Sequence, residues 1–124
     1  MRYFIGLLFF LSVLTAQVTD KNFKDKAGSG FVVVTFTSEW QERDLDPAIL
    51  KGVKGHEDAV LITAKSEDTK KICKKLRLRN FPSIALFHNG SKKEVWKADM
   101  DGEIDADSDD IKDAISEVQA GDVF

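Results

Sequence analysis

The sequence predicts an α/β domain in which a mixed central sheet, with a parallel core and an antiparallel edge hairpin, carries helices on both faces. Three observations carry this. Two short apolar runs rich in β-branched residues, Phe31–Thr37 and residues 59–64, have the length and composition of strands covered on both faces. Helical patterns alternate with those runs, the order expected of a parallel core. Asn89-Gly90 then follows a third apolar run and is the strongest short hairpin signal, because both residues accept positive φ.

The chain has 124 residues and room for one domain. Residues 1–16 differ in kind from the rest: Met1-Arg2 supplies one positive charge, Tyr3 to Leu14 is nearly unbroken apolar sequence, and Thr15-Ala16 offers a small residue for cleavage. An apolar run of this length falls short of the roughly 20 residues a membrane span needs. It fits a secretory signal peptide ending at Ala16, with the domain over residues 17–124. The net charge is −3, no mark of a nucleic-acid binder, and loss of Arg2 with the leader makes it one unit more negative. Cys73 is the single cysteine, so no internal disulfide can form and the core must hold by packing.

In order, residues 21–27 form a short helix with Thr19 or Asp20 as N-cap, stopped by Gly28-Ser29-Gly30. The strand Phe31–Thr37 follows. Asp46-Pro47 pairs an N-cap with a proline at the first helical position and starts a helix over Pro47–Val53, ended by Gly52 or Gly55. After the second strand, residues 66–76 make the clearest amphipathic helix, with Ile72, Cys73 and Leu76 on one face and Lys70, Lys71, Lys74 and Lys75 pointing away. Ser66 is placed to cap it, with Glu67 and Asp68 at the positive end of its dipole. Phe81-Pro82 breaks the chain before the strand Ser83–His88; the hairpin returns through residues 92–98. Past an acidic loop, Ile111, Ile115 and Val118 stripe a last helix over residues 109–118, capped by Asp107 or Ser108.

Together the order and motifs resemble a thioredoxin fold, and more narrowly a catalytic-type domain of a protein disulfide isomerase. Val18-Thr-Asp-Lys-Asn-Phe23 resembles that family's "L-T-x-x-N-F" opening. Phe36 to Trp40 resembles the strand end leading to the tryptophan before the active site. Ile72-Cys-Lys-Lys-Leu-Arg-Leu-Arg-Asn-Phe-Pro-Ser-Ile-Ala-Leu-Phe87 is similar to "L-C-x-K-Y-x-V-x-G-Y-P-T-L-x-x-F". Asn89-Gly90 and Asp101-Gly102 fall where the family has its hairpin turn and the glycine after the last strand.

The departures lie in the site. Where the family has Trp-Cys-x-x-Cys, Trp40 is followed by Gln41-Glu42-Arg43-Asp44, so on direct alignment Gln41 and Asp44 replace the two cysteines. Thr35 stands where the family keeps a buried carboxylate that moves protons. Thiol–disulfide exchange needs an attacking thiolate and a leaving thiol; the resemblance therefore implies a redox-inactive domain that needs no cofactor. It also implies a cis Phe81–Pro82 bond, and a backbone at Phe81 that pairs with bound polypeptide like an added strand. On this basis Trp40, Phe81 and Pro82 form a peptide-binding patch, or else Trp40 and Phe81 simply close the domain.

Other features each carry two readings. Cys73 is a monothiol site or a small apolar residue beneath a helix. Asn89-Gly90-Ser91 is an N-glycosylation sequon and also a turn chosen for its backbone. Glu39, Glu42 and Asp44 offer a new carboxylate site. Asp99, Asp101, Gly102, Ile104 and Asp105 have the spacing of the middle of an EF-hand loop, but Lys97 and Ser108 stand at its first and last ligand positions, leaving at most weak calcium capture. The basic run over residues 65–79 attracts a polyanion or acidic lipid, or is a solvated helix face. His56 and His88 are assigned no role. The C-terminus lacks an endoplasmic-reticulum retrieval signal, so secretion is expected. The expected partner is a protein or peptide, not a nucleic acid.

Overall fold

The computed structural model describes residues 17–41 and 43–123. The expected leader, residues 1–16, and Glu42 lie outside them. The elements are α1 (Phe23–Ala27), β1 (Phe31–Thr37), α2 (Pro47–Val53), a 3₁₀ turn (His56–Asp58), β2 (Val60–Lys65), α3 (Lys70–Lys75), β3 (Ser83–His88), β4 (Ser91–Trp96) and α4 (Ser108–Val123). This is the predicted order, with the 3₁₀ turn added.

The four strands lie in the order β2-β1-β3-β4. β1 is central and buried over six of its seven residues, as its composition requires. It pairs parallel with β2, Val34 opposite Ile62, and antiparallel with β3, Val34 opposite Ala85. The parallel character is thus confined to one pair; the chain reverses after α3 and enters β3 in the opposite sense. The β3–β4 hairpin closes at Asn89 and Gly90 with φ of 50° and 86°, the two positive values a type I′ turn needs, and its register slips between Leu86 and Phe87.

The alternation of β1 divides the core between two faces. Val32, Val34 and Phe36 pack with Phe23, Ala27, Cys73, Leu76 and Phe87, beneath α1 and α3. Phe31 and Val33 pack with Val53, Ile84, Leu86, Ile111 and Ile115, beneath α2 and α4. Helices therefore flank the sheet on both sides. At Gly52 an added Cβ would come within 2.6 Å of Ser108, so glycine lets α2 and α4 approach.

β2 corrects the expectation of a second strand covered on both faces. Only Ala64 is buried, and Val60 is 51% exposed, because β2 has a strand partner on one side alone. The caps differ as well. Asp46 accepts from the Ala48 N–H at 3.0 Å and Asp107 exchanges hydrogen bonds with Asp110, both as predicted. At α1, Thr19 and Asn22 bond each other's backbone N–H groups. Asp20 is used elsewhere: its carboxylate accepts from the Lys71 and Ile72 N–H groups at 3.1 Å, capping α3 from 51 and 52 residues away in place of Ser66. Residues 66–68 are a turn rather than helix, and α4 runs five residues past its predicted end.

Candidate functional site

The loop after β1 is built from short-range hydrogen bonds that the residue types dictate. The Gln41 carboxamide accepts from the Ser38 N–H at 2.8 Å and donates to the Arg43 carbonyl at 2.9 Å. It fastens the turn that follows β1. The Glu67 carboxylate reaches in from the end of β2, accepting from the Ser38 hydroxyl at 3.2 Å and the Glu39 N–H at 3.3 Å. Hydrogen bonding from its own backbone N–H is the main cause that holds Glu67 below its ordinary value; partial burial opposes this, and the Glu39 and Ser38 bonds reinforce it. Arg43 ties the far end of the loop to the acidic segment, donating to the Asp101 carbonyl at 3.1 Å and pairing with Glu103 at 3.6 Å.

Across from this loop the Phe81–Pro82 bond is cis. The side chains of Phe81 and Pro82 are buried, whereas Trp40 is 62% exposed and meets the Phe81 ring edge-on, centroids 5.6 Å apart at 86°. Of the two readings of this trio, Phe81 closes the domain and Trp40 does not. Among the described residues, neither the N–H nor the C=O of Phe81 makes a backbone hydrogen bond. Gly102, with φ of 80°, packs against that carbonyl, where a Cβ would stand 3.4 Å from the oxygen. A small pocket of ≈ 80 Å³ between Trp40, Phe81 and Met100 completes the surface; Met100 is 88% exposed.

The other predicted positions scatter. Thr35 is buried on the α2–α4 face, and its hydroxyl has no hydrogen-bond partner among the described residues. Asp44 is exposed and lines a separate groove with Asp46, Pro82 and Asp107, so it does not join Gln41. Glu39 is exposed. Cys73 is buried in the α1–α3 core with its Sγ 3.6 Å from the Thr69 hydroxyl. Burial pushes its thiol upward, the Thr69 bond pulling the other way. Asn89 is exposed at the hairpin tip, its Oδ1 accepting from the Gly30 N–H at 2.8 Å.

The acidic segment folds on itself. The Asp99 carboxylate accepts from the N–H groups of Asp101 and Glu103 at 2.9 Å, and Ala98 bridges Ile104. Among the described residues no three His, Cys, Asp or Glu side chains converge to hold a metal ion, and no helix is long and apolar enough to cross a membrane. Sequence reasoning missed Glu67 as the anchor of the loop; a contact 28 residues distant leaves no local pattern. It also missed the wide groove of ≈ 690 Å³ between Trp40 and α3.

Comparison with known proteins bears on this geometry. The family model for thioredoxin matches residues 14–117. No curated protein matches the chain. Among solved structures, it is similar to the first two thioredoxin domains of Naumovozyma dairenensis Eps1p, at 20% identity and a TM-score of 0.54, covering 67% of this chain and 35% of that one. It is also similar to a chain from a study of thiol resolution in yeast mitochondrial 1-Cys peroxiredoxin via glutathione/thioredoxin systems, at 15% identity and a TM-score of 0.61, over 82% and 93% of the two chains. Malassezia sympodialis thioredoxin (Mala s 13) gives 19% identity, a TM-score of 0.51, and coverage of 80% and 84%. The chain spans about a third of the first of these, and at such identities the likeness is one of fold. With the family model matched over most of its length, and with a mixed sheet flanked by helices and a cis proline facing the loop after β1, the chain belongs to the thioredoxin family.

Proposed function

We propose that this chain is a secreted, redox-inactive thioredoxin-like domain, of the protein disulfide isomerase kind without the dithiol, that binds protein or peptide at Trp40 and the Phe81–Pro82 backbone. One observation carries the reading. A large aromatic, 62% exposed, stands beside a stretch of backbone whose N–H and C=O have no backbone partners among the described residues. An extended peptide satisfies both needs at once: it donates to and accepts from Phe81 as an added strand and lays an apolar side chain against the indole.

The absence of dithiol chemistry rests on the residues themselves. Gln41 and Asp44 carry no sulfur, and Cys73 is the sole thiol of the chain. Cys73 is buried with its ionisation disfavoured, which supports a packing role over a monothiol one. The leader-like residues 1–16 support secretion, and the exposed Asn89-Gly90-Ser91 sequon supports modification at Asn89. Because the fold uses Asn89 Oδ1 and glycan attaches through Nδ2, attachment leaves the bond to Gly30 in place.

The test is an array of random-sequence peptides probed with the full chain. A subset of sequences is expected to bind, and Trp40→Ala to lose that signal. Undiminished binding by Trp40→Ala contradicts the site. Turnover in an insulin-reduction assay contradicts redox inactivity.

A further inference from the structure

We infer that the groove between Trp40 and α3 reads acidic side chains of the bound polypeptide, so that the partner is an extended segment mixing carboxylates with apolar residues. This rests on the peptide-binding reading above and adds its selectivity. The groove, ≈ 690 Å³ in volume, has Trp40 and Leu78 as apolar walls and Lys70, Lys74, Arg77 and Arg79 as its cations. Trp40 also walls the pocket over Phe81, so a chain paired with the Phe81 backbone has this groove beside it.

The cations outnumber the Glu67 carboxylate in the groove, four to one. Among the described residues none of the four takes part in an ion pair; those present involve Arg43 and Lys112. The chain as a whole carries −3, so the positive field is local to this concavity. A groove in which one sign of charge predominates concentrates ligands of the other sign.

Arg77 supplies an independent observation. It sits at φ +59°, just past the end of α3. The Leu78 N–H bonds the Cys73 carbonyl at 2.9 Å and the Arg77 N–H bonds the Lys74 carbonyl at 3.1 Å, the paired bonds of a Schellman motif. Glycine is the residue that suits this left-handed position; the chain places there an arginine that lines the groove. Local backbone energetics do not favour arginine there, whereas its guanidinium suits a carboxylate.

A polypeptide fits better than a nucleic acid or a lipid surface. The Glu67 carboxylate also lines the groove and opposes a continuous array of phosphates, and Trp40 is its one aromatic, too little for a stacking platform. The cations line an open groove that shares Trp40 with the pocket over Phe81.

The same peptide array, probed at low and high salt, tests this with the full chain, Arg77→Gly, the double variant Lys74→Gln/Arg79→Gln, and Trp40→Ala. Bound sequences are expected to be enriched in Asp and Glu. For a representative acidic binder each cation variant weakens affinity, the double variant by about tenfold at low salt and less at high salt. Arg77→Gly should melt at the same temperature as the parent or higher, separating lost recognition from lost folding. Trp40→Ala should lower binding of acidic and neutral sequences alike. Binders without acidic enrichment overturn the groove's role while the peptide-binding reading stands; no binding to any peptide overturns both. A single-stranded oligonucleotide or anionic vesicle bound in preference to acidic peptides, with the same variant sensitivity, overturns the inference in favour of a polyanion. Self-association in sedimentation that the double variant abolishes overturns it in favour of the chain's own acidic segment.

Discussion

Trp40 and Phe81 are in edge-to-face contact at 5.6 Å, yet they lie on opposite sides of the protein surface, one 62% exposed and the other 5%. The pair joins the loop after β1 to the cis-proline turn, and its two members do different work. Trp40→Ala should lower the unfolding free energy by about 1 kcal/mol or less, since it removes one aromatic contact at the surface. Phe81→Ala, which opens a cavity in the α1–α3 core, should cost about 3–5 kcal/mol. Urea unfolding of the two variants checks the contrast; equal losses would contradict it.

Asp20 caps α3 from the segment that precedes α1, and two N–H groups depend on it. Asp20→Ala should cost about 1 kcal/mol, while Asp20→Asn, which keeps an acceptor oxygen, should cost less. A silent Asp20→Ala in urea unfolding would refute the cap.

Glu67 gives the loop a pH dependence of defined sign. Its ionised form is favoured in the folded state, so its contribution is present above the usual glutamate value of about 4.3 and is lost as pH falls through the lowered folded value. As pH falls through that lowered value the Ser38 and Glu39 contacts should loosen. Trp40 emission, taken as the difference between the chain and Trp40→Phe, should show an acid transition that Glu67→Gln abolishes. The same transition in both would place its origin elsewhere.

Cys73 should react with a disulfide thiol reagent about a hundredfold more slowly in the native chain than in denaturant, because burial withholds the thiol from solvent and disfavours the thiolate. Equal rates in the two states would restore the monothiol reading.

Much of this fold was legible because its elements rest on local patterns. The apolar run of β1, the Asp46-Pro47 helix start, the Asn89-Gly90 turn and the Ile111–Ile115 stripe each declare themselves within a few residues. The features that escaped are set by distant partners. The exposure of β2 follows from its place at the edge of the sheet, and periodicity alone does not distinguish a strand covered twice from one covered once. Asp20 has the chemistry of a cap, but which helix it caps is decided by tertiary packing. At the site, Trp40 meets Phe81, whereas Pro82 lines a separate groove with Asp44 and Gln41 is bound into its own turn. The groove beneath Arg77 was visible only as a run of basic residues until α3 was set against Trp40.

The central claim, peptide capture at Trp40 and the Phe81 backbone, is tested most directly by titrating one array-selected peptide, followed by fluorescence anisotropy, into the chain and into Trp40→Ala. Saturable binding to the chain is expected, with at least about tenfold weaker binding to a Trp40→Ala variant that remains folded. Equal affinity for the two proteins would contradict it.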